Sequence, residues 1–276
     1  MQHLKDLAVW SEPVEELAFV PTMGALHDGH LALIKSAKKF GKRVLVSVYV
    51  NPTQFESSTD LAKYPKTLSQ DLELAAGAGA DYLWTPSVEE IYPEGLANVQ
   101  LISAGPLGDL YEGASRPNHF SGVLTVINRL FTLVNPRYAM FGEKDFQQLF
   151  LIKKFAEQQF PTISIITGET IRDRNGIALS SRNSRLSSDE LIIAQVLPRA
   201  QRTAKEYDSL SSVQVALAEV FAQEPGFTLD YAAIVDPETL LPVTGDFTGQ
   251  VQVLLAGWIG SVRLIDNFAH HVKGRS

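Results

Sequence analysis

The chain has 276 residues, of which 45% are hydrophobic and 20% charged, a composition typical of soluble globular proteins that excludes disordered, collagenous and low-complexity classes. Because the chain has no cysteine, it can form no disulfide, thiolate metal site or cysteine nucleophile. Its net charge of −7 argues against a broad nucleic-acid-binding surface. The start shows no signal-peptide pattern, and the apolar runs are far shorter than the ~20 residues of a membrane helix, so we expect a cytoplasmic protein that does not enter membranes.

In the first part of the chain, short apolar runs alternate with helical patterns. Strands are predicted at 17–22, 43–50, 81–86, 137–142 and 164–168, and helices at 31–40, 67–80, 122–134 and 145–160. This alternation predicts an α/β domain over residues 1–170, with a mostly parallel sheet and helices on both faces. Ligands of such sheets bind beyond the carboxyl ends of the strands.

Beyond residue 170 the pattern changes. A polar loop at 172–190 precedes helical segments at 190–207 and 212–224 and strands at 227–236, 251–259 and 261–268. We therefore predict a smaller α+β domain over residues 171–276.

The segment PTMGALHDGH, residues 21–30, follows the first strong strand. Gly24 permits a tight turn, and a helix is expected to begin near Asp28 or Gly29, with Asp28 as the N-cap candidate. A helix start behind a strand offers free N–H groups and a positive dipole end to phosphate, and His27 and His30, three residues apart, can point to one spot. The spacing leaves three interpretations open: a phosphate site, a capped turn with two surface histidines, or a zinc pair without an evident further ligand.

The segment VYVNPTQF places Asn51 and Gln54 directly after the buried strand at 43–50. Amide side chains at the carboxyl end of a strand can hydrogen-bond the hydroxyls and carboxylate of a ligand. The alternative is that Asn-Pro only makes a turn.

The segment FGEKDFQQL also lies between a strand and a helix, with Gly142 at the turn. Lys144 is expected in the first helical turn, where its charge opposes the helix dipole unless an anion binds there. Gln148, four residues later, is then expected on the same helix face as Lys144.

The polar loop contains ALSSRN, in which two hydroxyls and a guanidinium can clamp an anion such as triphosphate. Those residues are Ser180, Ser181 and Arg182, and the alternative is a flexible Ser-rich interdomain loop. RPNHF adds Arg116 and His119 ahead of a helix, as weaker candidates.

Taken together, PTMGALHDGH, VNPTQF, EGASRPNHF, FGEKDFQQL and GIALSSRN, in this order over residues 21–183, resemble the pantothenate synthetase family, the pantoate–β-alanine ligases. HDGH alone would resemble only the wider HxGH nucleotidyltransferase superfamily. The resemblance implies a Rossmann-like domain with a smaller C-terminal lid domain. It also implies a homodimer that uses ATP and Mg²⁺ to join pantoate and β-alanine through a pantoyl adenylate. Two positions depart from the usual family pattern: Thr53 stands in place of Met, and Asn118 in place of Gly.

The resemblance also implies roles for individual residues. His30 would be a proton donor and phosphate stabiliser, with His27, Lys144 and Arg182 adding positive charge. Gln54 and Gln148 would bind pantoate, and Gln54 would also border β-alanine. No protein-held metal site is expected. The implied ATP site comprises Met23, Gly24, Ala25, Leu26, His27, Asp28, Gly29, His30, Gly142, Glu143, Lys144, Asp145, Ile171, Leu179, Ser180, Ser181 and Arg182.

Three other functions remain to be weighed at this point. A related HxGH enzyme that transfers AMP to a phosphate-bearing acceptor would need Arg or Lys where Gln54 and Gln148 stand. A catalytically silent nucleotide-binding protein would not need the intact histidines, lysine and SSRN. A metallohydrolase lacks an evident third ligand.

Overall fold

A computed structural model describes residues 1–7, 16–55, 61–62 and 64–273. Packing divides the chain into two units: Met1–Glu143 with Gln147–Thr170, and Lys144–Phe146 with Ile171–Ser276. In the ranges described, no helix has the length and apolar character needed to cross a membrane.

The first unit contains a six-stranded sheet in which all neighbouring strands are parallel. Consecutive residues of the central strands are buried, which requires cover on both faces and explains their nearly continuous apolar sequences. The predicted parallel sheet is thereby confirmed. In spatial order the strands are β1 (Gln2–Leu4), β4 (Tyr82–Trp84), β3 (Arg43–Val48), β2 (Leu17–Thr22), β5 (Tyr138–Gly142) and β6 (Ser164–Gly168).

The helices described for this part of the chain agree with the predicted ones to within a few residues, apart from short additions. They are α1 (Asp28–Ala37), α2 (Leu68–Ala78), α3 (Val88–Ile91), α4 (Glu112–Ser115), α5 (His119–Val134) and α6 (Phe146–Gln159). Helix α5 begins three residues before the predicted start at 122, immediately after Asn118, whose backbone is left-handed with φ of 62°. Asparagine tolerates this conformation better than most residues, so Asn118 replaces the usual glycine at little cost. Strand β1 was not predicted, because three residues carry no periodic signal.

The order of the strands determines where the ligand crevice lies. From β2 the chain proceeds to β3 and β4 on one side, and it then returns to place β5 on the other side of β2. Strands β2 and β5 are paired, with Phe19 opposite Ala139. Segments that follow β2 and β5 therefore leave the same edge of the sheet at a topological switch point, where open α/β sheets bind their ligands.

The second unit has a three-stranded antiparallel sheet, in the order β7 (Thr228–Val235), β8 (Gly249–Ile259) and β9 (Val262–Val272). Its helices are α7 (Ser188–Ala194), α8 (Val196–Ala204) and α9 (Leu210–Ala222). The helical segment predicted at 190–207 is thus two helices. Pro198 accounts for the break, because proline lacks an N–H and its ring clashes with the carbonyl four residues earlier. Alternate β8 residues such as Val251 and Val253 are buried in one cluster with Val213 and Leu217 of α9.

Candidate active site

The loop after β2 is held in shape by a buried carboxylate. Gly24 has φ of 81° and Ala25 has φ of 51°, so the chain turns sharply through two left-handed residues. Asp71 of α2, 1% exposed, accepts the backbone N–H groups of Ala25 (3.1 Å) and Leu26 (2.8 Å). The Thr67 hydroxyl donates to the same carboxylate at 3.2 Å. The sequence interpretation missed Asp71, although an aspartate among the apolar residues of a predicted helix was a usable signal.

Helix α1 is capped by the two histidines of HDGH. His27 is the N-cap, and its Nδ1 accepts the backbone N–H of Gly29 at 3.2 Å. His30 reaches back, and its Nδ1 accepts the backbone N–H of His27 at 3.3 Å. The predicted N-cap, Asp28, was wrong: it is the exposed first residue of the helix, and its charge still favours the positive dipole end.

This reciprocal cap sets the tautomer of both rings. A ring nitrogen that accepts an N–H cannot carry a proton itself, so in the neutral histidines the proton lies on Nε2. The two rings lie side by side at the helix N-terminus, with their centroids 4.1 Å apart. The interpretations as a capped turn and as a phosphate site are therefore compatible, because Nδ1 serves the first and Nε2 suits the second.

A buried amide network follows β3. The Asn51 side chain, 1% exposed, donates through Nδ2 to Gln54 Oε1 (3.0 Å) and to the Gly122 carbonyl (3.2 Å), and its Oδ1 accepts from the Tyr92 hydroxyl (2.8 Å). Asn51 uses both amide hydrogens within the protein, so the expectation that it contacts a ligand is not supported. Gln54 Nε2 donates to Met23 Sδ at 3.1 Å, which brings Gln54 to the loop that follows β2.

Thr53, the residue that departs from the family pattern, belongs to this network. Its hydroxyl lies 3.0 Å from Asn51 Oδ1 and 3.3 Å from the Tyr92 hydroxyl. A methionine at this position has no hydroxyl for either contact, so Thr53 adds polar bonds behind Gln54.

His119 and Arg116 support Gln54 from the side of α5. The Gln54 carbonyl only accepts, so His119 Nδ1 donates to it at 2.9 Å and His119 Nε2 accepts from Arg116 Nη1 at 3.0 Å. Arg116 also forms an ion pair with Glu112 at 3.4 Å. These residues act through the backbone of Gln54 in this arrangement.

The FGEKDFQQL segment begins as predicted and then differs. Gly142 ends β5, Glu143–Asp145 form a 3-10 turn, and α6 begins at Phe146. Lys144 therefore precedes the α-helix, so the four-residue spacing no longer predicts a common helix face with Gln148. The side chain of Lys144 is 16% exposed, and its ammonium lies 4.0 Å from Asp145 Oδ1.

In the second unit, the loop residues assigned to ATP lie around a short hairpin. The Leu179 N–H donates to the Ile171 carbonyl at 2.9 Å. Ser180 caps the 3-10 turn Ser181–Arg185 by accepting the Arg182 N–H at 3.2 Å. One small cavity is lined by Lys144, Ser180, Arg182 and Arg263. Arg263 was not singled out from the sequence.

The structure thus collects the predicted site residues into two sets. Residues 23–30, Gln54 and residues 142–143 belong to the first unit, as does Gln148, whereas residues 144–145, Ile171 and residues 179–182 belong to the second. Within the described ranges, no group of three or more His, Asp or Glu side chains is arranged to hold a metal ion.

Comparison with known proteins decides what this arrangement serves. A family model described as pantoate-beta-alanine ligase matches residues 1–269. The chain belongs to the pantoate–β-alanine ligase family. A pantothenate synthetase of Rhizorhabdus wittichii is 44% identical over 272 residues, which are 97% of this chain and 94% of that protein.

Solved structures of pantoate–β-alanine ligases share the fold. A pantothenate synthetase from Thermus thermophilus has a TM-score of 0.91 and 42% identity, covering 97% of this chain and 99% of that one. A ligase from Francisella tularensis, complexed with beta-gamma ATP and beta-alanine, has a TM-score of 0.78 and 35% identity, covering 97% of each chain. The predicted family and enzymatic activity are confirmed, and a silent nucleotide-binding protein, a metallohydrolase and an unrelated acceptor specificity are set aside.

Proposed function

We propose that this chain joins (R)-pantoate to β-alanine in two steps that both use the residues described above. In the first, an oxygen of the pantoate carboxylate attacks the α-phosphorus of ATP. The bond from that phosphorus to its bridging oxygen breaks, and pyrophosphate leaves with the electron pair. In the second, the amine of β-alanine attacks the acyl carbon of pantoyl adenylate and loses a proton, and AMP leaves as the amide forms.

The first step brings two anions together, so positive potential is required locally. His27 and His30 supply Nε2–H donors at the N-terminus of α1, where the dipole adds to their effect. Lys144 and Arg182 supply full charges, and Ser180 and Ser181 supply hydroxyls. Fixed donors aimed at developing charge are the usual source of such catalysis. In our proposal His30 also donates its Nε2 proton to the α-phosphate as charge develops there.

The remaining residues of the nucleotide site contribute backbone and shape. In our proposal, the loop 23–26 presents N–H groups and the Met23 side chain, while Gly142 and Glu143 follow the adjacent strand. Ile171 and Leu179 provide apolar surface, and Asp28, Gly29 and Asp145 complete the polar rim.

Pantoate carries hydroxyls and a carboxylate, both of which amides can recognise. We assign this role to Gln54 and Gln148, with Gln54 also bordering β-alanine. The bonds that Asn51, Thr53 and His119 make to Gln54 or to its neighbours hold it in place, as a specific site for hydroxyl recognition requires.

The ions and assembly form part of the same proposal. Mg²⁺ prefers octahedral oxygen ligands and is commonly bound by substrate phosphates with one or two carboxylates. In our proposal the ion enters bound to ATP, where it would neutralise phosphate charge. We further propose a cytoplasmic homodimer whose chains contain a nucleotide- and pantoate-binding domain (1–170) and a smaller C-terminal domain (171–276). A molar mass of a single chain, measured by light scattering, would contradict the dimer.

One observation supports the proposed mechanism: Gln54 Nε2 donates to Met23 Sδ at 3.1 Å, so the amide that we assign to pantoate contacts the loop that we assign to ATP. The test is exchange of labelled pyrophosphate into ATP without β-alanine. We expect exchange that depends on pantoate, because the first step is then complete and reversible. Exchange that needs β-alanine, or that ignores pantoate, contradicts the adenylate.

A further inference from the structure

The backbone of Lys144 is tied to strand β9 by one buried side chain. Asn267 Nδ2 donates to the Lys144 carbonyl at 2.7 Å, although the two residues are 123 positions apart in the sequence. Asn267 is 5% exposed, and the segment Lys144–Phe146 packs with the second unit, to which β9 belongs.

The orientation of this amide is determined by its partners. Gln252 of β8 donates through Nε2 to Asn267 Oδ1 at 2.7 Å, and Gln252 is 4% exposed. The carbonyl of Lys144 only accepts hydrogen bonds, so the NH₂ group of Asn267 must face it. If the Asn267 amide were flipped, its Oδ1 would face the Lys144 carbonyl and its Nδ2 would face Gln252 Nε2. Both hydrogen bonds would then be lost.

An ion pair with a buried carboxylate holds the same part of β9. Arg172 donates to both oxygens of Asp266, at 2.7 and 2.8 Å, and Asp266 is 3% exposed. Arg172 also donates to the Asn267 carbonyl at 3.2 Å and to the Gly176 carbonyl at 3.0 Å. Gly176 lies in the hairpin that leads to Ser180, so this network joins Asn267 to the segment that carries Ser180 and Arg182.

We propose that Asn267 is the positioning residue for Lys144, with Asp266, Arg172 and Gln252 holding Asn267 in turn. This inference rests on the proposed role of Lys144 at the phosphates. A lysine ammonium ends a flexible four-carbon stem, so its position depends on where its backbone is fixed. The network fixes Lys144, Ser180 and Arg182 on one frame, and these residues line one cavity. A preorganised charge acts without reorganising during the reaction, and a displacement of about 1 Å can cost about 100-fold in rate.

The test is a double-mutant cycle on the full chain, with pantoate-dependent pyrophosphate exchange as the measurement. The variants are Asn267→Ala, Lys144→Ala and the combination of both. We expect Asn267→Ala to lower kcat for exchange by roughly 10- to 100-fold, with the KM for pantoate within about twofold of the parent. In the Lys144→Ala background, the same change should have little further effect, because the ammonium it positions is gone.

A variant of the β8 core separates positioning from general loss of stability. Val253→Ala removes two methyl groups from a fully buried core residue that takes no part in this network. It should lower the melting temperature and leave kcat for exchange nearly unchanged, whereas Asn267→Ala should lower both. Equal kinetic losses in the two variants, measured well below their melting temperatures, would overturn the proposal.

The outcomes also separate this inference from the proposed function. If Lys144→Ala leaves exchange intact, the assignment of Lys144 to the phosphates is wrong. If Lys144→Ala abolishes exchange while Asn267→Ala is normal, or if the two effects multiply independently, only the positioning role is wrong.

Should Asn267→Ala fail to fold, Gln252→Met asks the same question more mildly. It removes the donor that orients the Asn267 amide and keeps a side chain of similar length. We expect a roughly 3- to 10-fold loss of kcat for exchange that again disappears in the Lys144→Ala background. An unchanged kcat in Gln252→Met would then overturn the proposal.

Discussion

The two glutamines near the start of α6 differ in what surrounds them. Gln147 is 5% exposed, donates to the carbonyls of Leu107 and Leu110 at 2.8 Å each, and accepts the Glu112 N–H at 3.1 Å. Gln148 is partly exposed, and its side chain makes no hydrogen bond to the residues that the structure describes. The Gln147 amide therefore has a structural role, whereas the Gln148 amide is the one that we assign to pantoate.

Gln148→Ala should raise the KM for pantoate by about 10- to 100-fold, the effect of losing a buried hydrogen bond of about 1–3 kcal/mol, with little change in the KM for ATP. Gln147→Ala is the matched control, and it should instead lower the free energy of unfolding by about 1–3 kcal/mol because three backbone groups lose their partner. Steady-state kinetics and urea unfolding of both variants distinguish the roles. Reduced ATP affinity with normal pantoate affinity in Gln148→Ala would move that residue to the nucleotide.

Tyr49 and Tyr92 are both buried, but only one hydroxyl is paired. Tyr92 donates to Asn51 Oδ1 at 2.8 Å, whereas the Tyr49 hydroxyl has no hydrogen-bond partner in the described part of the chain. Tyr49→Phe should therefore leave the free energy of unfolding unchanged or raise it by about 1 kcal/mol, because an unsatisfied polar atom is removed. Tyr92→Phe should lower it by about 1–3 kcal/mol. A destabilised Tyr49→Phe would reveal a partner for this hydroxyl.

Tyr49 should also make the folded protein less stable at alkaline pH. Burial, reinforced by the nearby Tyr92 and Glu89, raises the pKa of Tyr49 well above its usual 10.0. The unfolded chain then releases the Tyr49 proton near pH 10 while the folded chain keeps it, so the free energy of unfolding falls as the pH rises above 10. Tyr49→Phe should reduce this fall, which thermal unfolding between pH 9 and 11 can measure.

At the scale of whole elements, α1 depends on its two histidines for its N-terminal cap. His30→Ala removes the acceptor for the His27 N–H and should cost about 0.5–2 kcal/mol of stability as well as slow adenylate formation. His30→Asn is the useful companion, because its amide oxygen can replace Nδ1 in the cap but provides no Nε2. It should recover most of the stability and none of the exchange rate. Recovery of both would mean that His30 serves only to cap the helix.

Helix α5 packs against the 3-10 turn Pro52–Gln54 through a glycine. A Cβ added at Gly122 would overlap the carbonyl of Thr53 and lie 2.8 Å from Gln54 Cα. Gly122→Ala should therefore displace Gln54, lower stability by about 1–3 kcal/mol and raise the KM for pantoate. Gly77→Ala in α2 is the control, since nothing lies within 4 Å of its Cβ position, and it should be neutral or stabilise by up to about 1 kcal/mol. Equal effects in both glycine variants would contradict this account.

The central elements could be predicted because local sequence determines them. The segment predicted at 17–22 matches β2, and the one predicted at 43–50 begins at the first residue of β3, since continuous apolar runs have few alternatives in an alternating α/β pattern. The break between α7 and α8 was missed even though Pro198 indicates it, because the apolar periodicity continues on both sides.

At the scale of the whole molecule, an acidic enzyme with a net charge of −7 must bind anionic substrates. Because we assign Lys144 to the phosphates, Lys144→Ala should remove about 3 kcal/mol or more of transition-state stabilisation, the effect of losing one preorganised charge contact. Lys154→Ala changes the net charge equally at a side chain that is 54% exposed, and it should leave the exchange rate nearly unaltered. Similar small effects in both variants would attribute the role of Lys144 to net charge alone.

The contacts that shape the site were beyond prediction because they join distant parts of the chain. The motifs singled out Met23–His30, Gln54 and Lys144, since chemistry favours particular residue types after a strand. They did not indicate that Asp71 would hold the loop from 45 residues away, or that Asn267 would hold Lys144 from 123 residues away. Such bonds depend on which buried polar groups the finished fold brings together. A single sequence can mark Asp71 as unusual within its helix, but it does not show which distant groups Asp71 or Asn267 will bind.

The cap of α1 has a consequence for anyone who engineers this enzyme. Serine, threonine, aspartate and asparagine are the residues that best begin a helix, so a stability-guided redesign would replace His27 with one of them. The redesigned protein would tolerate more heat and lose the imidazole that we assign to the nucleotide. Under selection for growth, the less stable histidine would return, because activity and robustness compete for the same position. Residue 27 is therefore a place where tolerance of heat and speed of reaction cannot both be maximised.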